Sequence, residues 1–217
     1  MNIRLLSPTT INRIAAGEVV ERPASAIKEL VENSIDAQAT TIELIISNGG
    51  LNFFSVTDNG IGMKPDELSL SVERHATSKL PNDSLENIST LGFRGEALPS
   101  IGSVSRMKIS SRAKQSENAW MIKIEGGIKS EILPCALSQG TSIEVSDLFF
   151  STPARLKFLK TAKTENTHCI DVIKRLAMAH PEISFIVRDD NRSLLKLPKS
   201  TEDLFSSRLQ RLDAIMG

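Results

Sequence analysis

Between Pro23 and Ala37 the apolar residues Ile27, Leu30, Val31 and Ile35, with Ser34 among them, recur at the spacing that lines one face of a helix. Pro23 suits the first helical position, where a missing N–H costs nothing. At 100° per residue, Glu29, Asn33 and Asp36 fall within roughly 60° of one another, opposite the apolar stripe. Two carboxylates and an amide share one stripe, which on an ordinary helix is a solvated face.

On the N-terminal side, Ser7-Pro8-Thr9-Thr10 can cap a short helix, Ile11 to Val19, with Ile11, Ile14, Ala15 and Val19 on one side. That thin stripe suits either an arm reaching a partner or a helix on the chain's own core. On the C-terminal side, Thr41 to Ser47 alternates Ile42, Leu44 and Ile46, Asn48-Gly49-Gly50 tolerates positive φ, and Leu51 to Thr57 is a second β-rich run. This predicts a hairpin ending at Asp58-Asn59-Gly60-Ile61-Gly62, followed by a helix over Pro65 to Val72. Periodicity then vanishes from Arg74 to Gly95, and an unstructured stretch of about 20 residues in a compact domain suggests a functional loop such as a lid.

A short helix, Glu96 to Ile101, begins behind Gly95, and strand-like runs follow at Arg106 to Ser111, Trp120 to Glu125, Ile128 to Leu133 and Thr141 to Val145. Helices are expected at Ala154 to Thr161 and at Asn166 to Ala179, the latter with Cys169, Val172, Ile173 and Leu176 as its apolar face. A hairpin of Ile183 to Arg188 and Ser193 to Leu197 turns around Asp189-Asp190-Asn191, and Thr201 to Ile215 is a last helix. Strands and helices do not alternate regularly, so the expected class is α+β: a two-layer sandwich with helices on one face of a mixed, largely antiparallel sheet.

Composition narrows this little. The 217 residues are 40% hydrophobic and 24% charged, with 26 basic and 26 acidic residues, which describes a globular chain with no global attraction to nucleic acid or membrane. No apolar run reaches the ~20 residues of a membrane span, and the first ten residues lack a signal-peptide core, so a cytoplasmic location is expected. Cys135 and Cys169 read as free buried thiols, and His75, His168 and His180 are too scattered for a metal site or nucleophile triad.

Asp58-x-Gly60-x-Gly62 follows a predicted strand. A rigid carboxylate there can accept from an exocyclic amino group while the glycines admit a flat ring, although a plain turn also explains the pattern. Gly92-x-x-Gly95 running into a helix can cradle an anion on backbone N–H groups, with Arg94 and Lys79 adding charge; a capped loop is the alternative. No Gly-x-x-x-x-Gly-Lys-Ser/Thr and no Gly-x-Gly-x-x-Gly opening a βαβ unit occurs.

Taken in order, Glu29 to Ala37, Asp58 to Gly62, Gly92-Phe93-Arg94-Gly95-Glu96-Ala97-Leu98 and Gly140-Thr141 resemble the four nucleotide-binding motifs of the GHKL ATPases. Ile14 to Pro23, Arg74 to Lys79 and Thr152-Pro153-Ala154-Arg155 narrow the resemblance to the MutL-type mismatch-repair proteins, and it covers essentially the whole chain. Gln38, Pro99 and Ser151 depart from the family pattern. The resemblance implies the Bergerat ATPase fold over residues 1–200, with an N-terminal arm at 1–22 and an ATP lid at about 74–98, and residues 201–217 as a helix leading toward a second domain.

The same resemblance implies ATP and Mg²⁺ as cofactors and Glu29 as the general base. The residue chemistry alone leaves Glu29 and Glu32 equal, and only Glu29 matches the family's position. Asn33 would supply a neutral oxygen to Mg²⁺, with Asp36 a supporting group. Asp58 would read the adenine amino group, helped by Thr141, with Ala37, Gly60, Gly62 and Met63 around the base. Thr77, Ser78, Lys79 and the run Gly92, Phe93, Arg94, Gly95 to Leu98 would close over the phosphates. A lysine from a second domain, an ATP-dependent homodimer formed through the arm, and other mismatch-repair proteins as partners are implied as well. The function expected is a slowly hydrolysing ATP switch. The alternatives are a nucleotide-binding module without useful turnover, another GHKL ATPase, or a DNA-binding module using Arg155, Lys157, Lys160 and Lys163, a run that also reads as a solvated helix face.

Overall fold

Alternation along Thr41–Ser47 (β1) buries Ile42, Leu44 and Ile46, and the antiparallel partner Phe53–Asp58 (β2) adds Phe54 and Val56 to the same core. The computed structural model describes residues 4–5, 7–79, 90–92, 95–189 and 192–217. Residues 80–89, together with Phe93, Arg94, Asp190 and Asn191, lie outside the described residues, as do Met1, Asn2, Ile3 and Leu6 of the expected arm.

The remaining strands are Arg106–Arg112 (β3), Ala119–Glu125 (β4), Ile128–Lys129 (β5), Leu133–Cys135 (β6), Gly140–Ser146 (β7), Ser184–Asp189 (β8) and Arg192–Leu197 (β9). Among the described residues nine strands form one sheet in the order β5-β4-β3-β7-β2-β1-β8-β9, with β6 also on β4. Among the described residues only β1 and β8 pair in parallel, and the chain between them carries the strands β2 to β7 as well as helices, far more than the dozen residues a parallel crossover needs. The expected mixed, largely antiparallel α+β sheet is what forms. In the register that matters for function, Asp58 at the end of β2 stands opposite Thr141 of β7.

The helices Pro8–Val19 (α1), Pro23–Asp36 (α2), Ala97–Val104 (α4) and Ala162–Ala179 (α6) pack on one another over the sheet, with a short helix Pro65–Leu70 (α3) beside β4. Ile27, Leu30 and Val31 of α2, Ile101 and Val104 of α4 and Cys169, Ile173 and Ala177 of α6 form the helical side of the core. Each large aliphatic side chain buried there contributes about 1.5–3 kcal/mol. Helix α2 ends in a Schellman turn: the Ala39 N–H bonds the Ser34 carbonyl at 3.1 Å and the Gln38 N–H bonds the Ile35 carbonyl at 2.9 Å. The turn places Gln38 at φ 59°, a left-handed position that a glycine occupies without strain.

Several elements differ from expectation. Ile11 and Ile14 of α1 are about half exposed, while Ala16 and Val20 are buried and Val19 packs partly against the core, so the two isoleucines of the expected stripe lie off the core. The expected helix over Ala154 to Thr161 is reduced to Pro153–Leu156 (α5), and α6 starts four residues earlier than expected. Thr161 is the reason: in extended conformation its hydroxyl accepts the Thr164 N–H, an N-cap that starts a new helix instead of continuing the old one. The Ile128 to Leu133 run splits into β5 and β6. The last helix is Leu204–Met216 (α7), capped by Asp203, and packs against α6. Cys169 is buried as expected, whereas Cys135 is only half-buried.

Candidate functional site

Asp58 is 9% exposed and its carboxylate is held by three donors. The Gly60 N–H reaches Oδ1 at 2.8 Å, the Thr141 N–H reaches Oδ1 at 3.3 Å, and the Ser34 hydroxyl donates to Oδ2 at 2.9 Å. Burial pushes the carboxyl above its ordinary value, and the Gly60, Ser34 and Thr141 donors pull it back in part. The fixed carboxylate has two oxygens and about four acceptor positions, of which three are taken.

The loop beyond Asp58 threads a narrow gap. A Cβ at Gly60 would stand 2.5 Å from the Ala37 carbonyl oxygen, and one at Gly62, at φ 65°, 2.1 Å from that of Arg112. The Ile61 N–H bonds the Ala37 carbonyl at 2.9 Å, the Gln139 amide donates to the Gly60 carbonyl, and Asn59 Oδ1 accepts the N–H groups of Thr40 and Thr41. The Met63 N–H donates to the Ser111 hydroxyl, which lies 3.0 Å from that of Thr141. The end of α2, the turn after β2 and the start of β7 thus form one hydrogen-bonded unit around Asp58.

The polar stripe of α2 borders this unit. Glu29, Asn33 and Asp36 are all half-buried, and Glu32 is 9% exposed and turned to Lys28, whose ammonium donates to it at 2.8 Å. The same ammonium lies 4.0 Å from Glu29 Oε1, so Lys28 borders both glutamates. Lys79 lies over the same stripe, its Nζ 2.7 Å from Asn33 Oδ1 and 2.5 Å from Asp36 Oδ2. Asp36 also accepts the N–H of Leu91 at 3.1 Å and of Gly92 at 3.4 Å.

Thr77 and Ser78 are exposed, and the Thr77 hydroxyl accepts the Lys79 N–H. Gly95, at φ 61°, packs so closely on the chain that a Cβ would stand 2.5 Å from the Ala76 carbonyl oxygen. Its glycine requirement is met by packing within the loop, and the Gly92 N–H faces the Asp36 carboxylate. Leu98 packs against the core in α4, and Pro99 sits in that helix's first turn, where its missing N–H breaks no helical bond. Phe93 and Arg94, expected on the phosphates, are outside the described residues.

The expected basic run is not one helix face. Arg155 donates to the carbonyls of Gly17 and Val20 at the end of α1, whereas Lys157 and Lys160 lie between α5 and α6. Sequence reasoning missed Ser34, Ser111 and Gln139 as supports of Asp58; a lone hydroxyl in the apolar stripe of α2 was the one available signal. Among the described residues no three His, Cys, Asp or Glu side chains gather closely enough to hold a metal by themselves, and no helix is long and apolar enough to cross a membrane.

Residues 21–146 match the family described as histidine kinase-, DNA gyrase B- and HSP90-like ATPase. The chain is 58% identical over its whole length to a DNA mismatch repair protein MutL of Rhodospirillum rubrum, covering 34% of that protein, and 51% identical to one of Rickettsia bellii, covering 36%. It thus spans about a third of the length of these curated relatives. Its fold matches the Aquifex aeolicus MutL ATPase domain complexed with ADP at TM-score 0.75, with 34% identity over 91% of this chain and 70% of that one. It matches the crystal structure of the N terminal domain of a DNA repair protein at TM-score 0.78 and 29% identity, over 95% of this chain and 60% of that one. The chain thus belongs to the histidine kinase-, DNA gyrase B- and HSP90-like ATPases, among the MutL ATPase domains.

Proposed function

We propose that this chain binds ATP with the adenine on Asp58, hydrolyses it slowly, and serves as the nucleotide-responsive domain of a MutL-type mismatch-repair protein. The observation that carries the reading is the Asp58 carboxylate: buried, fixed by three donors, and left with acceptor capacity on Oδ2. An acceptor-only group suits the amino group of adenine and is mismatched to the carbonyl of guanine. Thr141 holds Asp58 from β7, while Ala37, Gly60, Gly62 and Met63 border the base.

Glu29 orients the attacking water and takes its proton as the oxygen joins the γ-phosphorus and the bond to ADP breaks, leaving ADP and inorganic phosphate. Asn33 would contribute one neutral oxygen to Mg²⁺. The donor set fits such an ion, because Mg²⁺ bound with a nucleotide takes most of its oxygens from phosphates and water, and a positive group, the Lys79 ammonium, already lies 2.7 Å from Asn33 Oδ1. Mg²⁺ supplies neutralisation of charge on the phosphates. Thr77, Ser78, Lys79 and the residues from Gly92 to Leu98 bind the phosphate side. Residues 1–200 are the ATPase unit on this reading, and α7 leads toward a second domain.

The half-exposed Ile11 and Ile14 of α1 support the arm as the contact to a second copy in an ATP-dependent homodimer. Other mismatch-repair proteins are the remaining partners, in the cytoplasm, with any DNA contact weak and non-specific. The test separates binding from chemistry. Glu29→Ala is expected to keep ATP affinity and abolish hydrolysis, while Asn33→Ala weakens Mg²⁺-dependent binding itself. Loss of binding in Glu29→Ala would make that residue structural and overturn its assignment.

A further inference from the structure

Asp36 gathers an unusual set of partners for one helical carboxylate. It accepts the Lys79 ammonium and, from a second segment of chain, the N–H groups of Leu91 and Gly92. Its side chain is 10% exposed and that of Lys79 19%, so this pair is shielded from the screening that makes surface pairs weak. The Lys79 ammonium is shared with Asn33 Oδ1, the oxygen that the proposed function gives to Mg²⁺.

We propose that Lys79, held by Asp36, is a built-in substitute cation that occupies the metal side of the site and must leave Asn33 before a metal-bearing nucleotide can seat. An ammonium 2.7 Å from Asn33 Oδ1 and a divalent ion ligated by the same oxygen would be held only a few ångströms apart, and like charges that close repel strongly in a half-buried site. Asp36 is then a positioning residue. It keeps Lys79 on Asn33 and ties Leu91 and Gly92 to α2, and when Lys79 leaves, the anchor on those two N–H groups is remade. The inference rests on the reading of Asn33 as the metal-side ligand.

Two consequences separate a substitute cation from a lysine that only adds phosphate affinity. In the wild type, Lys79 supplies positive charge when metal is absent, so affinity for ATP in excess chelator falls only moderately relative to affinity with Mg²⁺. Without the ammonium, as in Lys79→Met, nothing stands in for the metal, and the ratio of the two dissociation constants widens by about tenfold or more, the range of an ordinary coupling between sites. In the apo protein, Asp36→Asn weakens the anchor, and hydrogen exchange at the Leu91 and Gly92 amides speeds up by about tenfold while exchange in the β1–β2 hairpin stays unchanged.

The experiment is calorimetric titration of ATP into wild type and Lys79→Met, each with Mg²⁺ and with chelator, beside amide exchange of apo wild type and Asp36→Asn. A wider ratio together with faster exchange at Leu91 and Gly92 supports the proposal. Equal weakening with and without Mg²⁺ in Lys79→Met would reduce Lys79 to a phosphate contact and overturn it, as would unchanged exchange at those amides. Failure of wild type to bind ATP under either condition would instead remove the nucleotide reading, and the exchange measurement would still report on the anchor.

Discussion

Ser34 Oγ donates to Asp58 Oδ2 at 2.9 Å, tying the fourth turn of α2 to the last residue of β2. Both residues are buried, and the contact links the helix carrying Glu29 and Asn33 to the carboxylate assigned to the base. Ser34→Ala leaves the Asp58 oxygen with one donor fewer in a buried site, at a cost of about 1–3 kcal/mol. Thermal unfolding of the apo variant is expected to show that loss, and ATP affinity is expected to fall alongside it.

Asp58 itself sets stability against function. Its folded carboxyl is raised above the ordinary 3.8 by burial, so the stability that goes with the protonated form is present below that value and lost as pH rises through the raised folded value. Asp58→Asn carries no ionisable group and escapes this loss. The variant is expected to gain thermal stability relative to wild type from acid to neutral pH, while its ATP affinity drops by about a hundredfold. Melting curves at several pH values, set beside a binding titration, check both halves.

Gln38 holds the left-handed position of the Schellman turn at φ 59°. Replacing it by glycine relieves about 1 kcal/mol of backbone strain, offset in part by the greater freedom of the unfolded chain. Gln38→Gly is expected to raise the melting temperature by about 1–3 °C with nucleotide affinity unchanged.

The strands and the Asp58 turn were legible because short-range patterning determines them: Ile42, Leu44 and Ile46 alternate, and Asp58-x-Gly60-x-Gly62 follows directly. Boundaries went astray where two local signals compete, as at Thr161, whose capping hydroxyl starts α6 and ends the preceding turn. Contacts across the chain were illegible. The tie from Lys79 to Asp36 spans 43 positions and that from Asp58 to Thr141 spans 83, and no periodicity encodes either. The packing of Gly95 on the Ala76 backbone, across the loop, was illegible for the same reason.

Cys169 is buried against the Gly49 carbonyl, and its thiol is pushed up to about 12 by that burial with Glu165 adding to it. It stays protonated and unreactive at neutral pH, whereas Cys135 is half-buried on β6. A thiol reagent at pH 8 is expected to label one cysteine in the native protein and two after denaturation. Two promptly reacting thiols would contradict the packing of α6 on the β1–β2 turn.

Arg211 anchors α7. It is 4% exposed, and its guanidinium donates to the carbonyls of Ala177, Pro181, Ile183 and Pro198 at 2.8 to 3.2 Å. Arg211→Ala removes this donor from all four oxygens, of which Pro181 keeps the Ser200 N–H, and is expected to cost about 2–4 kcal/mol in urea unfolding, while Arg211→Lys, lacking the planar fork, recovers little of it.

The account depends most on Asp58 reading an amino group on the base. Calorimetric titration of the wild-type chain with ATP and with GTP, both with Mg²⁺, addresses it directly. ATP is expected to bind at least about a hundredfold more tightly, because guanine sets a carbonyl against a buried carboxylate. Comparable affinities for the two nucleotides would contradict the assignment of Asp58 and the placement of the base.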